Sequence, residues 1–245
     1  MMISLKYIYE KKQQNYEDFA SGRVLYNQKG AAAFPVRLAS EIFLRSKNYL
    51  KKKGVKEPIT IYDPCCGGAY ILTTLGFLHG ECFSKIIGSD VDKRFVSLAE
   101  RNLDLLSLDG IEKRIRELEN DIRKYNKESH KYALKSALSL KGILEERDYF
   151  LSVDCFQADV LGDKVLDFKL DLILTDLPYG NLTNWSGDYN NPLELFLENM
   201  LNLLKPASIM TIISEKSQKI EHKKYNRIKH FTTGKRRISF LEKRG

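Results

Sequence analysis

Cysteine is scarce in this 245-residue chain: four residues, at 65, 66, 82 and 155, two of them adjacent and none in a Cys-x-x-Cys pair. That usage argues against a disulfide framework or a zinc site and suits a reduced, cytoplasmic setting. No stretch approaches the ~20 apolar residues that span a bilayer, so no membrane span is expected. The opening Met1-Met2-Ile3-Ser4-Leu5-Lys6 lacks the apolar core of a secretory leader. The four histidines, at 79, 130, 222 and 230, show no ligand spacing, so no metal is expected, and His79 reads as a helix end. Neither Gly-x-Gly-x-x-Gly nor the Gly-Lys-Ser/Thr of a phosphate loop occurs, which disfavours a nicotinamide dehydrogenase. No internal repeat or low-complexity tract is present.

What is there is a globular composition, 43% hydrophobic and 29% charged. The length suits one large domain, or one domain with an extension. The net charge of +8 is unevenly placed. Residues 1–57 carry a net +7 and residues 214–245 a net +8, while 58–213 carry a net −7. Basic ends around an acidic centre suit a polyanion partner, and equally a merely soluble surface.

From residue 59 onward, strand-like runs at 59–63, 85–90, 153–159, 170–175 and 208–214 alternate with helical patterns at 69–80, 93–106 and 192–204. Such alternation predicts βαβ units and a parallel sheet. Residues 227–231 and 236–241, around Thr232-Thr233-Gly234-Lys235, read as a hairpin. The fold class expected is therefore α/β and Rossmann-like: a mostly parallel seven-stranded sheet ending in an antiparallel hairpin. Residues 58–245 would form that domain. Residues 1–57 read as a mostly helical extension, with Pro35 opening a helix from 36 to about 50. Residues 105–151 are too long for a plain connection. Ile111, Ile115, Leu118, Ile122 and Tyr125, then Ala133, Ala137, Leu140 and Leu144, repeat at helical spacing, with a break at 126–130, predicting an inserted helical hairpin. Its 10 basic and 9 acidic residues argue against an RNA arm and for packing or dimerisation.

Four constellations carry chemistry, each at the end of an expected strand. In Asp63-Pro64-Cys65-Cys66-Gly67-Gly68-Ala69, small residues let a ligand approach the backbone, and the helix beyond offers free N–H groups. An acid ahead of the glycines would repel a phosphate and attract a cation or an amine. In Gly88-Ser89-Asp90-Val91-Asp92, a carboxylate 27 residues beyond Asp63 can take both hydroxyls of a ribose, while Asp92 caps the next helix. Asp159-Val160 follows the third strand, where Asp159 can accept from an adenine amino group. Thr175-Asp176-Leu177-Pro178-Tyr179-Gly180 is the most informative. Asp176 and the Leu177 carbonyl can each accept one N–H of an exocyclic amine, Pro178 stiffens the turn, and Tyr179 can stack on the base. The polar loop beyond holds the only tryptophan, Trp185, which either closes over a flipped-out base or anchors packing.

Together these motifs resemble the class I S-adenosylmethionine-dependent methyltransferases, near those whose Asn/Asp-Pro-Pro-Tyr turn serves exocyclic nitrogens. More narrowly, 34–41 (Phe-Pro-Val-Arg-Leu-Ala-Ser-Glu), the inserted hairpin, and Thr175 to Gly180 followed by Thr183 and Trp185 are similar to the AviRa-like ribosomal RNA methyltransferases, over roughly residues 25–240. The resemblance implies S-adenosylmethionine as cofactor, with Asp63, Cys65, Cys66, Gly67, Gly68, Asp90, Val91, Asp159 and Val160 around it. It implies Asp176, Leu177, Pro178 and Tyr179 at the reacting amine, guanine N2 of 23S ribosomal RNA as target, free or in the large subunit, and lost orthosomycin (avilamycin) binding as a consequence. Two positions depart from the pattern. Ala69 replaces the second glycine of the cofactor loop, and its methyl is expected to narrow the approach. Leu177 replaces a proline whose carbonyl alone matters. The expected RNA contacts are Arg37, Trp185, Lys216, Lys223, Lys224, Lys235, Arg236 and Arg237, with Lys219 beside them and Lys51 to Lys53 second. The alternatives are a methyltransferase for adenine N6 or tRNA guanine, and a non-catalytic nucleic-acid-binding module.

Overall fold

The computed structural model describes residues 6–31, 33–162, 166–178 and 190–244. Seven strands form one sheet: β1 (Ile59–Asp63), β2 (Phe83–Asp90), β3 (Ser152–Gln157), β4 (Leu170–Asp176), β5 (Leu204–Glu215), β6 (Tyr225–Thr233) and β7 (Arg236–Lys243). Their order is β3-β2-β1-β4-β5-β7-β6. The first five are parallel, and β7 runs antiparallel to both β5 and β6. The central strand β4, Leu-Asp-Leu-Ile-Leu-Thr-Asp, is buried from its first residue to its sixth, as a strand covered on both faces must be.

Helices α1 (Val36–Lys52), α2 (Tyr70–Leu78) and α3 (Lys93–Asp104) cover one face. Among the described residues α6 (Pro192–Met200) is the helix on the other face, where Phe196, Leu197 and Met200 pack with Tyr62, Ile173 and Met210. The insertion is a hairpin of α4 (Leu108–Tyr125) and α5 (Glu128–Glu145). Ser107 caps α4, accepting from the Gly110 N–H at 3.0 Å, and Asn126 ends it in the left-handed conformation, φ 46°. The hairpin joins the main core through Ile111, Leu118, Ala133, Ala137, Leu140 and Leu144.

Two expectations shift. The helix expected over 192–204 ends at Met200 because β5 starts early, at Leu204. Residues 6–31 and 33–35 are largely irregular, with one 3-10 turn at Glu17–Phe19. Side chains of other elements satisfy their backbone in place of a helical ladder. Glu41 accepts the N–H groups of Ile8, Tyr9 and Glu10 at 2.8–2.9 Å, and Asn102 accepts that of Tyr26 at 2.7 Å. No described helix is long and apolar enough to cross a membrane.

Candidate active site

The strand order reverses between β1 and β4, so the crevice of a doubly wound sheet opens at their carboxyl ends. Asp63 ends β1, Asp90 ends β2 and Asp176 ends β4. Gln157 ends β3, two residues before Asp159. The motifs spread over 114 residues of sequence thus share one edge.

The loop after β1 is clamped by two of these acids. Asp63 Oδ1 accepts the Cys65 N–H at 3.1 Å, and Asp90 Oδ2 accepts the Gly67 N–H at 2.9 Å. The Cys66 N–H meets Ser89 O at 2.9 Å. Gly67 has φ +53°, and a Cβ there would meet nothing within 4 Å, so this residue faces open space. Gly68 faces inward, where a Cβ would lie 2.8 Å from Leu98 Cδ2. Ala69 corrects an expectation. It is 1% exposed and part of the main core, so its methyl does not narrow the approach. Its departure from glycine is one of backbone: φ is 55°, a left-handed conformation that costs a residue with a Cβ roughly 1–2 kcal/mol.

The electrostatics of this edge favour a cation. Burial pushes the Asp63 carboxyl up to about 7. The charges of Asp176 and Asp90 add to that shift, and the Thr175 hydroxyl and Cys65 N–H pull against it. Burial also raises Asp90, against the N–H groups it accepts. The Cys65 thiol is pushed well above its usual range by burial and by Asp63, and Cys66 rises beside Cys155. These thiols stay protonated, so their contribution is shape and backbone, not nucleophilicity.

Asp92 is the expected cap, accepting the Arg94 N–H at 2.9 Å. Val91 is exposed beyond the tip of β2, and its carbonyl accepts Gln157 Nε2 at 2.9 Å. The Ala158 N–H bonds Asp90 O at 3.1 Å, tying the Asp159 loop to β2. Asp159 accepts the Leu161 N–H at 2.9 Å, and Val160 O accepts Asn199 Nδ2 at 2.9 Å. At the end of β4 the Leu177 N–H bonds Ile213 O at 2.9 Å, and its buried side chain joins the second core. Pro178 follows, half-buried. Tyr179, Gly180, Thr183 and Trp185 lie outside the described residues.

The expected basic contacts divide. Arg236 pairs in register with Glu215 and Arg237 with Ser214, at the carboxyl end of β5. The Lys216 N–H bonds Lys235 O at 2.8 Å. Lys216, Lys235, Arg236 and Arg237 therefore stand on the edge that carries the acids. The Arg236 guanidinium lies 5.0 Å from the Phe34 ring centre, at the start of α1. Lys224 instead sits at the opposite edge, where its carbonyl accepts the Arg244 N–H and its ammonium pairs with Glu198 at 3.9 Å. Lys223 lines an open cleft with Asn191, Glu194 and His222. Lys53, bound to Glu242 at 2.7 Å, is also at the far edge. Arg37 is engaged within the protein. Its guanidinium donates to Glu10 O at 2.7 Å and lies 3.9 Å from the Tyr7 ring centre, pinning the N-terminal segment.

Sequence reasoning missed Asn102. It is fully buried, accepts the Tyr26 N–H, and donates from Nδ2 to Tyr26 O at 3.1 Å and to Gly68 O at 2.8 Å. It thereby ties residues 24–27 to the glycine loop. Its signal was a polar residue on the apolar face of α3, beside Leu98, Ala99 and Leu103. Among the described residues no group of three His, Cys, Asp or Glu side chains converges as a metal site.

Comparison with known proteins follows the same lines. A family model described as rRNA methyltransferase AviRa matches residues 5–236. A 23S rRNA (guanine(2535)-N(1))-methyltransferase from Streptomyces viridochromogenes is 38% identical over 209 residues, which is 83% of this chain and 82% of that protein. The solved structure of rRNA methyltransferase AviRa from Streptomyces viridochromogenes superposes with a TM-score of 0.84 at 32% identity, over 96% of both chains. A ribosomal protein L11 methylase from Lactobacillus delbrueckii subsp. bulgaricus, at TM-score 0.51 and 13% identity over 89% of this chain and 84% of that one, shares the fold alone.

Proposed function

Since the chain belongs to the AviRa family of rRNA methyltransferases, we propose that it transfers a methyl group from S-adenosylmethionine to a guanine of 23S ribosomal RNA. The observation that carries this reading is the glycine loop clamped between Asp63 and Asp90 at the reversal of strand order. The fit to the cofactor is chemical. Asp63 would meet the amino group, Asp90 the ribose hydroxyls and Asp159 the adenine amine, with Val91 and Val160 against the ring. The open face of Gly67 leaves room for close approach. Cys65, Cys66 and Gly68 shape the loop. When bound, the cofactor supplies an electrophilic methyl on a sulfonium.

The rest is the work of this chain's residues. Asp176 and the Leu177 carbonyl accept N–H groups on the Watson–Crick edge of the guanine, Pro178 holds the turn, and Tyr179 stacks on the ring. With the cofactor bound, its sulfonium would supply the methyl group and leave as a neutral thioether, while the nitrogen gives up its proton toward Asp176. Positioning in a dry crevice supplies most of such a rate. The family resemblance implied the exocyclic N2, whereas the Streptomyces relative is named for N1. The two nitrogens are neighbours on one edge, and N1, which carries a single proton for Asp176 to receive, is the better reading. Lost orthosomycin binding rests on the family resemblance alone.

The test is transfer of labelled methyl to 23S RNA, 16S RNA, tRNA and duplex DNA, followed by mapping of the modified atom. Label is expected in 23S RNA, free or in the large subunit, and at guanine N1. Asp176→Ala should lower the rate by about 10²–10⁴-fold, the usual worth of a positioned proton acceptor, while keeping the fold and cofactor binding. Label confined to another nucleic acid would discard the target, and no label in free RNA or particles would favour a binding module.

A further inference from the structure

The balanced composition of the inserted hairpin hides a segregation of charge. Residues 123–135, at its tip, hold five basic residues and one acid. The remainder of 105–151 holds five basic residues and eight acids. Toward the root these charges neutralise one another. Glu112 pairs with Lys141 at 2.9 Å, Lys141 with Glu145 at 3.4 Å, and Arg114 with Glu117 at 3.2 Å. At the tip, Lys131 pairs with Glu128. Arg123, Lys124, Lys127 and Lys135 are exposed and have no carboxylate partner among the described residues.

Aromatic rings stand among these cations. Tyr125 is 51% and Tyr132 57% exposed. The ammonium groups of Lys124 and Lys127 lie 5.1 and 5.9 Å from the Tyr125 ring centre, and the Arg23 guanidinium lies 6.0 Å from that of Tyr132. Arg23 is paired with Glu17 at 3.0 Å, but the cations around Tyr125 have no carboxylate partner among the described residues, and exposed rings beside such cations suit a nucleic acid, whose bases stack while its phosphates pair. A protein partner would more naturally meet an apolar core with a polar rim.

Placement supports the same partner. The hairpin leaves the end of α3 and returns to the start of β3, both at the edge away from the acids. Halfway along α4, Glu117 accepts the Tyr26 hydroxyl at 2.9 Å, and Tyr26 is bonded through Asn102 to the glycine loop. The remaining turns carry the tip roughly 12 Å further at 1.5 Å per residue. The hairpin packs against α2, α3 and the turn at Glu17–Phe19, and α3 lies on β2 and β3, whereas Arg236 and Arg237 stand by β5 and β7. The acid-lined crevice lies between two basic clusters.

We infer that the hairpin tip, through Arg123, Lys124, Tyr125, Lys127 and Tyr132, is a second RNA contact that holds the substrate away from the reacting base. This rests on the RNA methyltransferase reading. The test compares the wild-type chain with an Arg123→Ala/Lys124→Ala/Lys127→Ala variant and a Tyr125→Ala/Tyr132→Ala variant. All five positions are exposed, and S-adenosylhomocysteine binding serves as the control for folding.

Binding to 23S RNA across a salt series should weaken roughly tenfold at low salt for the triple variant, with the salt slope reduced by about 2. Methyl transfer to long RNA should fall while transfer to a short fragment holding only the target stem is unchanged. Wild-type affinity and slope in both variants would overturn the inference and leave the methyltransferase reading standing. Loss on ribosomal particles but not on free RNA would assign the tip to a protein and overturn it as well. Wild-type protein that binds no RNA would remove the underlying reading first.

Discussion

Two buried carboxylates, in different parts of the molecule, meet opposite treatment. Glu41, in α1, has a fully buried side chain, yet its carboxyl stays below the usual range. Burial alone would raise it, but three backbone N–H groups and the Arg45 guanidinium outweigh burial. Asp63 is equally hidden, at 2% exposure, and its carboxyl is pushed up to about 7. Burial is the main cause, Asp176 and Asp90 add to it, and the Thr175 hydroxyl and Cys65 N–H offset it only in part. A satisfied buried charge is a structural anchor, here holding residues 8–10 against α1. A buried carboxyl only partly compensated, with like charges beside it, is a site prepared for a positive ligand.

The largest effect expected from that contrast is at Glu41. Glu41→Ala leaves three N–H groups and a guanidinium without their acceptor, and should cost about 3–5 kcal/mol in chemical unfolding. Asp63→Asn should act the other way. Because the folded pKa of Asp63 is raised, its contribution to stability is fully present below pH 4 and is lost as pH climbs through about 7. Asp63→Asn should therefore stabilise the ligand-free protein at pH 8 by about 2–4 kcal/mol while weakening cofactor binding. Loss of stability in Asp63→Asn at pH 8 would break the contrast. The smallest effect is expected at Asn102, the other satisfied buried polar group. Asn102→Ala should cost about 1–3 kcal/mol and loosen the glycine loop, read as weaker S-adenosylhomocysteine binding with an unchanged salt slope for RNA.

The strands and the acids that end them were legible because each sits at a boundary with a strong local signal: a run of β-branched and apolar residues stopped by an acid and a turn. Their common edge then follows from the parallel sheet. The hairpin insertion was legible from its heptad-like spacing, and Asn126, which turns the chain with positive φ, from the break in that spacing. Residues 6–35 were not legible. Their backbone partners include Glu41, Arg37, Asn102 and Arg114, side chains up to 91 positions away, and no local pattern announces such partners. The basic residues divide between the two edges, a division that was not legible for a related reason. Net charge per segment says nothing of which edge a lysine reaches, so Lys224 and Arg237 looked alike in sequence and stand at opposite ends of the same hairpin. The charge of the helical insertion was similarly uninformative, since a balanced count concealed a basic tip and an acidic root.

The central claim is that the acid-lined edge exists to receive a cationic cofactor. Calorimetric titration of S-adenosylmethionine into the wild-type protein and Asp63→Asn, at pH 6 and pH 8, tests it most directly. One-to-one binding that tightens with pH in the wild type, and is at least tenfold weaker and flat with pH in Asp63→Asn, is the result expected as Asp63 ionises. Binding of equal strength in both proteins, or none in folded wild-type protein, would contradict it.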